Sequence, residues 1–307
     1  MSNMTYQIYH KTEYHYQDIV TFSHNIARLQ PRENEAQKLI EFSLEKDPES
    51  SEESLFIDQF GNTNTHLLIR KPHRTLTIIA HSTIDISPEI LGAKIAHIQS
   101  SSSTYQEALS ALSVFSRDTI QAKQFLFPSD RIPKASQSIR AYALESFAPS
   151  RDLFEAGVEF MGRIYDDFKF LPGFSDVTTP TQEIFEAKQG VCQDFAQLAI
   201  AALRAIGLPA RYMSGYIETL PPKGKEKLFG ADASHAWYSL FIPGAGWISF
   251  DPTNNLIPKE QHILLGYGRD YQDIAPLKGV LLGSGESKLS VMVDVRRVDL
   301  KSQDSQS

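Results

Sequence analysis

One cysteine, two tryptophans and no long apolar run: each scarcity in this chain excludes something. With Cys192 alone, no internal disulfide and no multi-cysteine zinc site can form, so any thiol chemistry has a single residue to run on. No stretch approaches the roughly 20 consecutive apolar residues that a membrane-spanning helix needs. Met1 to Tyr9 lacks a cationic segment followed by an apolar core, so no signal peptide is read there and a cytoplasmic location is expected. Positive charge is in deficit: 30 Lys and Arg stand against 37 Asp and Glu, a net charge of −7. Nucleic acids and acidic membranes are gathered by clustered Lys and Arg, so neither is an expected partner. No internal repeat of about 20–50 residues is apparent.

What remains is ordinary globular composition, 41% hydrophobic and 22% charged over 307 residues, a length that suits two domains. Residues 1–95 read as an antiparallel β domain. Met4 to Tyr16 alternates, Phe56 to Arg70 reads as a hairpin around Gln59-Phe60-Gly61-Asn62, and Thr75 to Ile86 is strand-rich. Glu45 to Glu53, with its acids, Pro and Ser, reads as a solvated loop. The texture changes near Ser87-Pro88. Residues 96–150 read as a mostly helical connection, with Ser100 to Ser103 as its joint.

Residues 151–300 are the best organised, and 301–307 read as a disordered tail. Leu153 to Phe168 keeps one apolar helical face that Ser150 could cap. Thr179-Pro180-Thr181-Gln182 has the pattern of a capped helix start, and Gly190 closes that short helix. A second helix follows at once, with Phe195, Leu198, Ala199, Ala202, Leu203 and Ile206 as its stripe and Gly207 and Pro209 as its stop. Ala210 to Glu218 reads as a strand. Leu220 to Asp232 is a polar loop, whose basic part, Lys223 to Lys227, is a solvated surface or a cleft rim. His235 to Ile242 and Trp247 to Asp251 form a hairpin, and Leu289 to Val298 is a late strand.

Cys192 falls in the first turn of the second helix, where unpaired N–H groups and the helix dipole favour a thiolate. A small buried hydrophobe would look the same in sequence. His235 starts one strand of the hairpin and Asp251 ends the other, so one hairpin can hold an imidazole and the carboxylate that orients it. Each alone has a bland account, a satisfied strand histidine or an Asp-Pro turn; together with Cys192 they make a nucleophile, a base and an orienter. Strand parity adds a condition. A four-residue loop, 243–246, would oppose Asp251 to Tyr238 and put it on the wrong face. An odd loop or a bulge opposes Asp251 to Trp237, on the face of His235.

At these residues the sequence resembles the bacterial transglutaminase-like superfamily. Gly190-Val191-Cys192-Gln193-Asp194-Phe195-Ala196 is similar to its nucleophile motif, Ser234-His235-Ala236-Trp237 to its histidine motif, and Gly246-Trp247-Ile248-Ser249-Phe250-Asp251-Pro252-Thr253 to its aspartate motif. Leu203 to Tyr212 resembles the helix-to-strand continuation. His10-Lys11-Thr12, Arg28-Leu29-Gln30-Pro31 and Asp58-Gln59-Phe60-Gly61-Asn62 resemble the β domain that precedes the core in many bacterial members, and Gly268-Arg269-Asp270-Tyr271 resembles the usual tail.

The resemblance implies an α+β protein: an N-terminal antiparallel β-sandwich-like domain, then a papain-like, transglutaminase-like core with a helix-borne cysteine packed on an antiparallel sheet. It implies Cys-His-Asp chemistry on an amide or ester; a peptide or protein substrate is expected, with no cofactor and no metal. The backbone N–H of Cys192 is one oxyanion donor; Gln193 either donates as well or caps the helix. Asp194, Tyr216 and Trp237 are cleft candidates, each with a plainer reading. Asp194 could complement the dipole or pair with Arg204 or Arg211, Tyr216 could pack in the core beside Tyr212, and Trp237 could lie under the imidazole. Animal cross-linking members use a tryptophan upstream of the cysteine, and the matching region, Asp176 to Thr179, has none. That departure favours a thiol hydrolase over an acyltransferase; a non-catalytic binding protein on the same fold is the third reading. The N-terminal domain is expected to shape the cleft and supply no catalytic residue.

Overall fold

The computed structural model describes residues 3–219, 227–230, 232–283 and 285–298. The expected tail, 301–307, and most of the polar loop, including 223–226, lie outside the described residues.

Six strands open the chain: β1 (Met4–Val20), β2 (Phe22–Ala27), β3 (Gln37–Asp47), β4 (Glu52–Ile57), β5 (Thr63–Ile69) and β6 (His73–Ile86). The run 45–53 is therefore mostly strand rather than loop: it passes from β3 in one sheet to β4 in another, with only 48–51 outside the strands. Helices follow: α1 (Pro88–Ser100), α2 (Tyr105–Ser113), α3 (Arg117–Lys123), α4 (Gln137–Leu144) and α5 (Leu153–Asp167). Ser87 caps α1 ahead of Pro88, so helix begins before the serine run and not after it. Asp152, not Ser150, caps α5 through the amide of Glu155 at 3.0 Å.

The core continues with β7 (Lys169–Phe170), α6 (Thr181–Ala187), β8 (Gln189–Gly190), α7 (Cys192–Ala205), β9 (Ala210–Ile217), β10 (Ser234–Ile242), β11 (Gly246–Phe250), β12 (His262–Gly268) and α8 (Tyr271–Ile274). Helix α6 starts one residue later than Thr179 would have it, with Pro180 as N-cap, because the Thr179 hydroxyl accepts from the Asp176 amide instead of capping. It ends at left-handed Lys188, before Gly190.

Strands β13 (Leu277–Leu282) and β14 (Ser287–Val298) close the described chain. They leave the core: β13 pairs with β2 and β14 with β1 along twelve residues. The boundary at residue 300 is thus corrected. The N-terminal sheets, with strand orders β14-β1-β6-β3 and β13-β2-β5-β4, are built from both ends of the sequence.

One face of β6 explains how the units join. Leu76, Ile78 and Ala80 pack with Ala27, Leu29, Leu67 and Ile69 of the second sheet. Further along the same face, Ile84 and Ile86 pack with Tyr216, Ile263 and Leu265 of the core sheet. Period-two alternation makes these one buried row, apolar except for Ser82, that covers two partners. Polar bonds add register. Asn62 donates to the carbonyl of Tyr267 at 2.8 Å, and Gln37 exchanges bonds with the Leu264 backbone.

The core sheet has the order β11-β10-β9-β12, all antiparallel. Helix α7 is enclosed between it and α4, α5 and α6, and every residue from Asp194 to Arg204 is buried. Ala196, Ala199, Ala201 and Ala202 keep the helix slim enough for neighbours on all sides.

Candidate active site

Val191 is the N-cap of α7, and its side chain has no oxygen to offer the first-turn amides. Asp194 reaches back to the Val191 amide at 2.8 Å, so the chain is clamped before the helix while the amides of Cys192 and Gln193 are left without a side-chain cap. Ser175 donates its hydroxyl to the same Asp194 carboxylate. Gly190 is required here, because a Cβ on it would stand 2.9 Å from the Asp194 side chain. Burial pushes the Asp194 carboxyl up, against the pull of these hydrogen bonds. Asp194 therefore pairs with neither Arg204 nor Arg211: it is an internal brace. Arg204 instead donates to the carbonyls of Phe125, Ala210 and Arg269.

The β10–β11 hairpin turns through three residues, 243–245, with Ile242 opposite Gly246, Phe241 opposite Trp247 and Tyr238 opposite Phe250. The odd loop puts Asp251 in line with Trp237, on the face of His235. His235 Nε2 lies 2.7 Å from Asp251 Oδ2. The Cys192 thiol lines the same cleft as His235 and favours its charged form. Cys192 is half-buried, His235 buried and Asp251 sealed from solvent.

Asp251 takes more bonds than an orienting carboxylate needs. Oδ1 accepts from the amides of Thr253 at 3.0 Å and Asn254 at 3.3 Å. Oδ2 accepts from His235, from the Asn254 amide side chain at 2.7 Å and from His262 Nε2 at 2.9 Å. Burial would push this carboxyl up, but the bonds from His235 and His262 hold it well below the usual carboxylate range. Burial likewise works against the His235 imidazolium, and the bond to Asp251 and the Cys192 thiol reverse it, raising its pKa to about 10. His262 is held below its ordinary value, because burial outweighs its one bond to Asp251. The nitrogens of His235 and His262 and the Asp251 oxygen lie within 4.8 Å of one another, a spacing a metal could use, but hydrogen bonds to the shared oxygen already account for it.

A cleft of about 170 Å³ opens over this group. Cys192, Gln193, His235 and Tyr212 form its floor; His10, Thr12 and Tyr14 of β1, and Leu289 and Val291 of β14, form a wall. The N-terminal sheet shapes the cleft, and among the described residues no hydrogen bond runs from residues 3–85 to Cys192 or His235. The three cleft candidates fall elsewhere. Asp194 is buried beneath the helix start. Tyr216 is 1% exposed and donates to or accepts from His10 Nδ1 at 2.8 Å, so it holds the cleft wall from behind. Trp237 is stacked on His235 at 5.9 Å between ring centres and lines a different cavity. Sequence reasoning missed His262, Asn254 and Ser175. Asn254 alone left a trace, as the Asx-type end of Asp251-Pro252-Thr253-Asn254.

Residues 6–85 match the bacterial transglutaminase-like N-terminal region, and residues 140–252 match the transglutaminase-like superfamily. A Mycobacterium tuberculosis protein whose name assigns no activity is 38% identical over 94% of this chain and 92% of its own length. A Mycobacterium leprae relative, also without an assigned activity, is 32% identical over 95% of this chain and 98% of its own. A crystal structure from Cytophaga hutchinsonii, provisionally called a cysteine protease, superposes with a TM-score of 0.74 at 22% identity, covering 97% of this chain and 92% of that one. A Pseudomonas aeruginosa protein named protein-glutamine gamma-glutamyltransferase is 36% identical over 25% of this chain and 12% of its own length.

Proposed function

The chain belongs to the transglutaminase-like superfamily, and on that footing we propose that it is a thiol hydrolase that cleaves peptide or amide bonds through a thioester. One observation carries the reading: a single imidazole, bonded to the buried Asp251 carboxylate, shares one cleft with the sole thiol, Cys192, at a helix start without a side-chain cap.

Cys192 Sγ, having passed its proton to His235 to form a thiolate–imidazolium pair, attacks the carbonyl carbon. The oxygen of the tetrahedral intermediate takes its negative charge to the first-turn amides of α7, with the Gln193 side chain in the cleft as a further donor. The C–N bond breaks as His235 returns the proton to the leaving amine. Water, deprotonated by His235, then attacks the thioester, releasing a carboxylic acid and the Cys192 thiol. Asp251, ionised throughout, fixes the ring and steadies the imidazolium. Exposed Leu289 and Val291 on the cleft wall favour a substrate with an apolar side chain beside the scissile bond.

Acyl transfer to an amine is the competing outcome of the same thioester, and the short match to the gamma-glutamyltransferase favours it. Against it, both tryptophans lie outside the cleft, so none stands at the oxyanion. A single-turnover assay with a peptide library, with and without added amine, tests both. Free acid at equal yield in both arms supports hydrolysis, amide product in the second arm supports transfer, and no acyl-enzyme in either overturns the thiol mechanism.

A further inference from the structure

Strand β14 is the border of its sheet, with β1 on one side of it. The register with β1 runs without a shift from Ser287 to Val298, so the direction of each backbone group follows from parity. The Val293 carbonyl accepts the Asp232 amide at 3.1 Å. The Val295 amide donates to Asp232 Oδ2 at 2.7 Å, and its carbonyl accepts from Lys227 Nζ at 2.6 Å. Odd-numbered residues of β14 therefore present their N–H and C=O to the outer edge, and even-numbered residues present theirs to β1. Leu289 and Val291 belong to the outward set.

The chain covers part of that edge itself. Asp232 forms an antiparallel bridge with Val293, and its side chain, sealed from solvent, is paired with Lys227 at 2.7 Å. Two residues further on β10 begins, and it pairs with β9 and β11 instead. From Val291 the edge is left open. Among the described residues no hydrogen bond reaches the amide or carbonyl of Leu289 or Val291 from that side. The opening coincides with the cleft, which Leu289 and Val291 line together with Cys192, Ser234 and His235. Strand edges in native proteins are blunted by charge, proline or a covering segment. Here the covering segment stops where the cleft begins, and the bare edge carries Leu289 and Val291. Their side chains continue the rows of Tyr14 and Thr12 on the cleft side.

We propose that the substrate is a peptide in extended conformation, laid along the open edge of β14 as a further strand. Its main chain exchanges hydrogen bonds with Val291 and Leu289, and the residues that do so place their side chains beside those two. Recognition is then of the peptide backbone, with the apolar wall selecting alternate side chains. The proposal rests on the hydrolase reading for what becomes of the bound chain, and its test needs no turnover.

A peptidyl chloromethyl ketone alkylates a thiolate without hydrolysis, so the labelling rate of Cys192, the sole cysteine, reports how the peptide is held. The probe is an acetylated pentapeptide of alanine and valine ending in that ketone. Four analogues each carry one N-methyl group, at the four residues beyond the one bearing the ketone. Chloroacetone, too small to reach the edge, is the reference. In an added strand alternate residues face the edge, so N-methylation should slow labelling by about fivefold or more at alternate positions and by less than about twofold between them. Val291→Pro removes the outward amide and no bond to β1, the kind of edge position at which a strand accepts proline. It should lose the advantage of the peptide over chloroacetone, whereas Val291→Ala, which keeps the amide, should retain most of it. A series with no loss, or with equal loss at all four positions, overturns the proposal and decides the matter if Val291→Pro does not fold. Equal rates in the two folded variants overturn it as well. So does peptide labelling that slows as protein concentration rises, which would put a second copy of this chain on the edge. An alternating series without turnover of any peptide would instead remove the hydrolase reading and leave the added strand in place.

Discussion

His262 and His235 donate to the same oxygen of Asp251, at 2.9 and 2.7 Å, from strands on opposite sides of β9. The carboxylate is therefore held from two directions before any substrate arrives. His262 acts through Asp251 and is a positioning residue.

Replacing His262 with Phe should remove one bond to a buried charge, worth about 1.5–3 kcal/mol, and slow acyl-enzyme formation roughly 10- to 100-fold. Asp251→Ala should cost more, since it removes the orienting group itself. Single-turnover rates at fixed pH separate the two, and His262→Gln, which restores a donor, should recover part of the loss. Equal rates in wild type and His262→Phe would remove His262 from the mechanism.

Iodoacetamide offers a test that needs no substrate. With Cys192 and the His235 ring on one cleft, and the thiol favouring the charged ring, His235→Ala should slow alkylation at pH 7 by about tenfold or more. Cys192→Ser should take up no label, because it is the sole cysteine. Unchanged labelling in folded His235→Ala would mean the two side chains do not act as a pair.

Much of this site could be read from one sequence because its parts are local. The odd hairpin follows from counting residues between His235 and Asp251, and the position of Cys192 follows from the helical stripe that begins at Phe195. Contacts between distant segments left no comparable trace. The alternation of 289–298 identifies a strand but not its partner, and nothing local says that β14 joins β1. His262 reaches Asp251 only because β12 pairs with β9. The stripe on α7 named one face, while Ala196, Ile200 and Ala201 look too small or too few to mark a second buried face. The start of α5 shifted by two residues for a local reason: Asp152 and Ser150 are both competent caps, and only packing chooses.

Gly215 shows how closely the core sheet is built beneath the site. A Cβ there would lie 1.9 Å from the Ile263 carbonyl oxygen and 2.7 Å from Trp237 Cη2. Gly215 pairs with His235 across β9 and β10, so pushing β12 away also moves the histidine. Gly215→Ala should destabilise the protein by about 3 kcal/mol or more, measured by urea unfolding. A loss under about 0.5 kcal/mol, the usual surface range, would contradict the packing described.

His10 gives a pH test on the acid side. It is 1% exposed, bonded to Tyr216 and Thr12, and burial lowers its pKa to about 4 from 6.5. Between those values the unfolded chain holds a proton that the folded chain does not. Its contribution is therefore fully present above pH 6.5 and lost as pH falls toward 4, on the order of 3 kcal/mol in all. His10→Gln should flatten that part of the stability profile relative to wild type. Parallel profiles from pH 7 to 4 would show that His10 is not buried neutral.

Val291 separates substrate selection from thiol reactivity. It stands 48% exposed on the cleft wall, contributed by a strand that carries none of the reacting groups. Val291→Asp puts a charge where an apolar substrate side chain would be buried, and the outward-facing position tolerates it without strain. For peptides with an apolar residue beside the scissile bond, kcat/KM should fall by roughly 10- to 100-fold, the worth of one buried aliphatic contact at about 1.5–3 kcal/mol. Iodoacetamide is too small to use that wall, so Cys192 alkylation should proceed at the wild-type rate. Loss of both would point to a disturbed cysteine, and loss of neither would place substrate binding away from β14.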